Sequence, residues 1–262
     1  MFELQKHRQN KTRLEQLDGQ TYCKHISLAQ PSEFDLHTPA SFSEMVDILE
    51  TAHRQEGWSN TRLQELGKAC GINYDPDSII FDKSLRSVIN PIDNTYWDWM
   101  HGLVASGGVA QLEVNGFCHA IVDAGISLES IDQFHAQVSW PCASRRDLPP
   151  QFFQKRVAEE PSGHIKAFAA ETLSAVTVLA AFAVMVLQPA GSLPVHCTSM
   201  LLLATILDCF AFEAVALAHL DLLDDSVQHH HLLVVEVYGH IIAKFKMHQI
   251  YHCLHTLERG GH

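Results

Sequence analysis

The sequence predicts a mainly α protein with a bundle-like architecture, and three observations carry that prediction. Hydrophobic residues make up 47% of the 262-residue chain, enough to bury one large core or two modest ones. Apolar positions recur at three- and four-residue spacing, whereas the texture of a strand in the first half is confined to one short run. Three long apolar stretches, 167–187, 195–223 and 232–257, then fill the C-terminal half with turn-forming residues between the first two.

In chain order, residues 5–19 are polar and charged, and the sparse apolar positions Leu4, Leu14 and Leu17 predict a frayed surface helix. Thr38 to Glu44 offers N-cap hydroxyls, after which Met45, Ile48, Leu49 and Ala52 recur at helical spacing. A second helix starts near Ser59 and carries Leu63, Leu66, Ala69 and Cys70, with Gly71 placed as a left-handed stop. Asn73 to Asp77 is a turn. Ser78-Ile-Ile-Phe81 is the β-like run, ended by Asp82.

From Tyr96 the texture changes. Trp97, Trp99, Met100, Leu103, Val104, Val109, Leu112, Val114, Phe117 and Ile121 form a long helical pattern, kinked or tightened at Ser106-Gly-Gly108. Pro141, Pro149, Pro150, Pro161 and Gly163 make 141–163 a linker or extended surface loop. Two domains are expected, a mostly helical 1–90 with little sheet and a helical 91–262 containing that linker.

Within 167–187 Glu171 is the sole charge, and Gln188 to Pro194 supplies a turn to the next apolar stretch. A membrane hairpin is the rival reading. Glu171 leaves only about fifteen clean apolar residues where a bilayer needs roughly 20. The second stretch also carries His196, Asp208, Glu213, His219 and Asp221. A buried helical hairpin is therefore expected. The third stretch opens with Leu232-Leu-Val-Val235, compatible with strand or helix, and ends as helix.

Eighteen Lys and Arg against thirty Asp and Glu leave a net charge of −12, which disfavours phosphate backbones as partners unless basic residues are segregated on one face. The densest basic stretches, Lys6 to Arg13 and Arg145 to Arg156, are short and interrupted. Seven Cys without a C-x-x-C pair, and a start lacking an apolar signal run, predict reduced thiols in the cytoplasm or nucleus. As small core hydrophobes these Cys need no further role. The eighteen His are largely uncharged at neutral pH, so mild acid erodes the negative balance.

Three constellations could carry chemistry. Asp98 and His101 stand at i and i+3, so a helix presents both on one face beside two Trp; taken alone, the pair is better explained by a capped helix start without chemistry. Glu171, inside an apolar helix, must be paired, protonated or metal-bound, or else reach solvent near Lys166 as an N-terminal acid. His248, His252 and His255 form one helical stripe. It could present imidazoles to zinc, although a solvated stripe beside Lys244 and Lys246 is the expected state. A phosphate-binding P-loop, a nucleophile elbow, a dinucleotide fingerprint and an H-E-x-x-H pair are all missing from the sequence.

Read in order, Asn73-Tyr-Asp-Pro-Asp77, Tyr96-Trp-Asp-Trp-Met-His101 with Gly102-Leu-Val104, Lys166-Ala-Phe-Ala-Ala-Glu171-Thr-Leu-Ser174 and Lys244 to His255 resemble the transposase-derived proteins related to CACTA and Plavaka elements. The resemblance spans about residues 70–255. It implies that this chain is the helical and C-terminal part of an incomplete RNase H-like domain. It also implies a D-x-x-H element at Asp98 and His101, a third metal-binding acid at Glu171, Mg²⁺ as the cofactor of an active enzyme and DNA as its partner. Two-metal phosphodiester chemistry needs several convergent carboxylates. The first two acids of the family pattern find no match in 1–97, beyond Asp75, Asp77 or Asp82. The expectation is thus a remnant, inactive alone, that begins inside a degraded element and retains at most weak nucleic-acid or protein binding. The rivals are a Mg-dependent strand transferase or nuclease completed by a partner chain, a helical protein that self-associates, and the membrane hairpin. No small-molecule ligand is expected.

Overall fold

A computed structural model describes residues 38–55, 57–70, 72–89, 91–94, 98–105, 107–140, 148–212, 218–239 and 245–258. The polar segment 5–19 and Gly71 lie outside these residues. No strand is present among the described residues, which divide into two compact units, the first holding 38–94 and the second 98–258.

In the first unit, helix α1 is Pro39–Arg54. Thr38 and Ser41 close a reciprocal capping box: Thr38 Oγ1 accepts from Ser41 N–H at 3.1 Å, and Ser41 Oγ accepts from Thr38 N–H at 2.9 Å. Pro39 at the first helical position suits the fixed φ of that turn. The buried face is Phe42, Val46, Leu49 and Ala52, so the stripe is rotated from the expected one and Ile48 stands exposed. Helix α2, Asn60–Cys70, contributes Leu66 and Cys70 to a small core of Phe42, Val46, Leu49, Ile72 and Phe81.

The expected β-like run is not a strand: Ile79–Phe81 forms a 3₁₀ turn. Three residues without a pairing edge would leave backbone groups unsatisfied. The Asp82 carboxyl instead accepts from Ser84 N–H at 2.8 Å and starts the short helix α3, Lys83–Arg86. Arg86 is buried, donating to Asp47 at 2.7 Å and to the Ser43 carbonyl at 3.3 Å, which ties α3 to α1. The one-turn helix α4, Pro91–Asn94, follows.

The second unit is organised around α5, Val109–Asp123, in which every residue from Val109 to Cys118 is buried. A helix buried on all sides belongs in the middle of a bundle, and the polar Gln111, Glu113 and Asn115 that it carries inside must find partners there. It closes with a Schellman motif, Ile126 N–H to Ile121 carbonyl at 3.1 Å and Gly125 N–H to Val122 carbonyl at 2.9 Å, with Gly125 at φ +83. Ahead of it, Met100–Val104 forms a π turn, closed by Ala105 N–H to the Met100 carbonyl at 2.8 Å. The tightening expected at 106–108 has a steric basis: a Cβ on Gly108 would lie 2.4 Å from the Leu103 carbonyl oxygen.

Helix α6, Leu128–Gln137, is capped by Ser127. Its Asp132 accepts from the N–H groups of Phe153 and Gln154 at 3.1 and 3.3 Å. That contact starts helix α7, Phe152–Arg156, whose Phe152 and Phe153 are fully buried. The described part of 141–163 is accordingly a built segment rather than a linker. Asn115 holds it to α5, its Oδ1 accepting from Ala158 N–H at 2.7 Å and its Nδ2 donating to the Glu160 carbonyl at 2.9 Å.

Helix α8, Ala169–Phe182, continues as a π segment, Ala183–Leu187. A turn through Gly191, φ +66, and Leu193, φ 51, leads to α9, Pro194–Ala211. Helices α8 and α9 thus make a helical hairpin, of which α8 is the more buried arm. By length and composition alone both arms are apolar enough to cross a membrane. Helix α10, Leu220–Tyr238, runs straight through Leu232 to Val235, removing the strand alternative. Helix α11 is Phe245–Glu258.

Candidate functional site

Asp98 and His101 come together. His101 Nδ1 lies 2.5 Å from Asp98 Oδ2, and the same carboxyl accepts from His101 N–H through Oδ1 at 3.3 Å. Trp97 lies outside the described residues, and Trp99 does not desolvate the pair. The side chains are 56% and 77% exposed, while Trp99 turns inward to stack on Phe210 at 5.9 Å. The bond from His101 holds the Asp98 carboxyl below the usual carboxylate range.

The C-terminal helix touches this turn. Lys246 Nζ donates to the carbonyls of His101 and Ala105 at 3.0 and 3.1 Å, and burial pushes its ammonium below the ordinary lysine range. Burial raises the Cys253 thiol to about 12, with Asp98 adding to the effect. The D-x-x-H turn and the lysine- and histidine-bearing helix, distant in sequence, therefore adjoin.

Glu171 has a different occupation. It sits in the first turn of α8, where its Oε2 accepts from Phe168 N–H at 2.8 Å and its Oε1 lies 3.9 Å from Arg156 Nη2. No hydrogen bond or ion pair among the described residues joins it to Asp98 or His101. Mg²⁺ binding would require several carboxyl oxygens directed at one point. Among the described residues no group of three or more His, Cys, Asp or Glu is close enough to hold a metal, so this donor set does not fit a two-Mg²⁺ site.

Of the histidine stripe, His248 is buried rather than solvated, and His252 is half-buried with its ring 4.9 Å from that of His248. The side chain of His255 lies outside the described residues. The helix turns this stripe inward because Met247, Ile250, Tyr251 and Leu254 belong to the same core.

The sequence reading missed a fully buried carboxyl. Glu113 on α5 is 0% exposed; its Oε1 accepts from Ser199 Oγ of α9 at 2.7 Å, and its Oε2 is 2.5 Å from His230 Nε2 of α10. Next to it His231 Nδ1 meets Tyr251 Oη of α11 at 3.2 Å. His230 Nδ1, His231 Nε2 and Tyr238 Oη have no hydrogen-bond partner among the described residues. Burial, with His230 and His248 beside it, drives His231 well below the ordinary imidazole range. Burial and nearby Glu113, Cys118 and Cys197 drive Tyr238 well above the phenol range. A signal was available: an acid amid Val109, Leu112, Val114 and Phe117 must find partners, the argument applied to Glu171.

In the first unit an open groove of about 570 Å³ follows α1, lined by Ala40, Glu44, Asp47, Ile48, Thr51 and Trp58. Its Asp47 is engaged by Arg86 at 2.7 Å and Lys83 at 3.8 Å.

Compared with known proteins, the chain matches no family model, no curated protein and no solved structure.

Proposed function

We propose that this chain is a transposase-derived helical remnant without strand-transfer activity of its own, whose remaining role is binding. The observation that carries this reading is the commitment of Glu171. The acid that the family resemblance would assign to metal spends its carboxyl oxygens on the Phe168 N–H and on the approach of Arg156. Asp98 is likewise bonded to its own turn, and a divalent ion would have to compete with His101 for it.

Binding to protein fits the surface better than binding to DNA. The net charge of −12 opposes a polyanion, whereas Phe168, Phe212, Leu222 and Leu232 stand exposed on or beside α8, α9 and α10. A supercoiled-DNA nicking assay with Mg²⁺ or Mn²⁺ tests the catalytic half: the wild-type chain is expected to match Glu171→Gln at background. Cleavage by the wild type that Glu171→Gln abolishes would overturn it. Light scattering after gel filtration tests the binding half, with self-association or capture of apolar dye expected; a monomer that binds neither dye nor DNA removes it.

A further inference from the structure

Two adjacent histidines of α10 are sealed inside the second unit, and each faces a different helix. His230 turns to Glu113 of α5, which Ser199 of α9 also engages. His231 turns to α11, where Tyr251 Oη meets its Nδ1 and the His248 ring stands against Tyr251.

Among the described residues, the groups around His231 supply no free anion to stabilise a positive charge. From α10 its neighbour is the His230 imidazole, and from α11 it is the His248 imidazole with the Tyr251 phenol. The acid that α5 brings to this cluster, Glu113, already accepts from Ser199 and His230. From α9, His196 stacks edge-on against Tyr238 rather than offering an anion. Asp224, on α10, accepts from Gln228. A second proton on His231 would place a cation at 2% exposure with Nε2–H facing no acceptor among the described residues.

Helix α11 has a second attachment: the clasp of Lys246 on the carbonyls of His101 and Ala105. We infer that His231 is a proton-operated latch: its neutral ring holds α11 against α10, and its protonation releases α11 together with the Lys246 clasp on the turn bearing Asp98 and His101. The ring can accept a proton once α11 has moved away and water reaches Nε2. Mild acid would thereby uncover the apolar underside of α11, Met247, Ile250 and Leu254.

Amide hydrogen exchange of the full chain, at about pH 7.5 and about pH 5.5 and corrected for intrinsic rates, tests the latch. Opening of α11 is expected to rise up to about tenfold per pH unit below the unperturbed histidine value, as one linked proton requires. Helix α5 should stay protected. His231→Phe should abolish the rise in α11. Protection of α11 that ignores pH in the wild type overturns the proposal, as does simultaneous loss of protection in α5 and α11. Should His231→Phe fail to fold, the imidazole resonances of wild-type His231 decide instead. Titration coincident with α11 opening supports the latch, and titration with α11 still closed overturns it.

Discussion

Lys246 closes the π turn at 100–104 from outside, its ammonium donating to the carbonyls of His101 and Ala105 at 3.0 and 3.1 Å. The His101 carbonyl belongs to that single turn and the Ala105 carbonyl follows it, and carbonyls of a last helical turn lack intrahelical partners. A cation there both satisfies the oxygens and complements the negative end of the turn. Lys246→Met keeps the aliphatic stem and removes the donors. It should lower stability by about 1.5 kcal/mol, the low end for charged hydrogen bonds because the group is half-buried. Urea denaturation measures the loss, and it should not be recovered by adding salt.

Glu113 and His230 lie together at 0% exposure in the middle of the bundle. Removing one member leaves the other buried without its partner, so Glu113→Leu and His230→Leu should each cost about 3–5 kcal/mol. Removing both replaces the polar pair with apolar volume, and the double variant should be more stable than either single one. A double-mutant cycle by chemical denaturation reads the coupling directly; additive losses would mean that the pair does not act as a unit.

Most long helices were legible because periodicity survives in long segments: α1, α2, α5, α8, α9 and α11 lie where apolar spacing puts them, whereas the 19-residue α10 bridges the polar gap left between the apolar stretches 195–223 and 232–257. The short ones were not legible. Helices α6 and α7 are ten and five residues long, and the prolines around 141–163 point to a loop. What makes α7 is tertiary: Asp132 of α6 capping its first N–H groups and the burial of Phe152 and Phe153. Ile79 and Ile80 carry strand propensity, but among the described residues no second strand is there to use it, and Asp82 diverts the backbone into a helix start. Of the candidate site, the adjacency of Asp98 and His101 followed from i, i+3 spacing alone. The Glu113–Ser199–His230 contact did not, because it joins three helices separated by up to 117 residues in sequence, and no local pattern encodes such a meeting.

Two glycines of one turn should respond in opposite senses. At Gly108 an added Cβ would meet the Leu103 carbonyl oxygen at 2.4 Å, a backbone atom that cannot yield without unwinding the π turn. Gly108→Ala should therefore cost about 1–3 kcal/mol or more. At Gly102 nothing lies within 4 Å of the same atom, so Gly102→Ala should stabilise by about 0.5–1 kcal/mol through reduced backbone entropy of the unfolded chain. Thermal melts followed by circular dichroism separate the two; equal effects would contradict the packing described for this turn.

Glu171 should behave as a helix cap. Its Oε2 bond to Phe168 N–H satisfies one orphan donor of α8. Glu171→Ala is expected to cost about 0.5–2 kcal/mol, and Glu171→Gln, which keeps an acceptor, distinctly less. Melting temperatures in the presence and absence of Mg²⁺ should shift equally for all three chains. A Mg²⁺-dependent gain confined to the wild type would mean that the carboxyl binds metal.

Acid should weaken the fold in two separated windows. His231 and His196 are both depressed, chiefly by burial, so the unfolded chain takes up protons before the folded one does. The stability they contribute is fully present above the unfolded histidine value of about 6.5 and is lost as pH falls from there toward their folded values. For fully buried His231 the slope approaches about 1.4 kcal/mol per pH unit; half-buried His196 adds a smaller share, screened by solvent. Asp98 and Asp82 are also depressed, by bonds from His101 and from Ser84 respectively. Their contribution persists until pH falls below the unfolded Asp value of about 3.9. Urea midpoints measured from about pH 8 to about pH 2 should thus decline first below about pH 6.5 and again below about pH 3.9. In His231→Phe that first decline should shrink to the His196 share while the lower one remains. A first decline of equal size in both chains would assign it to other histidines.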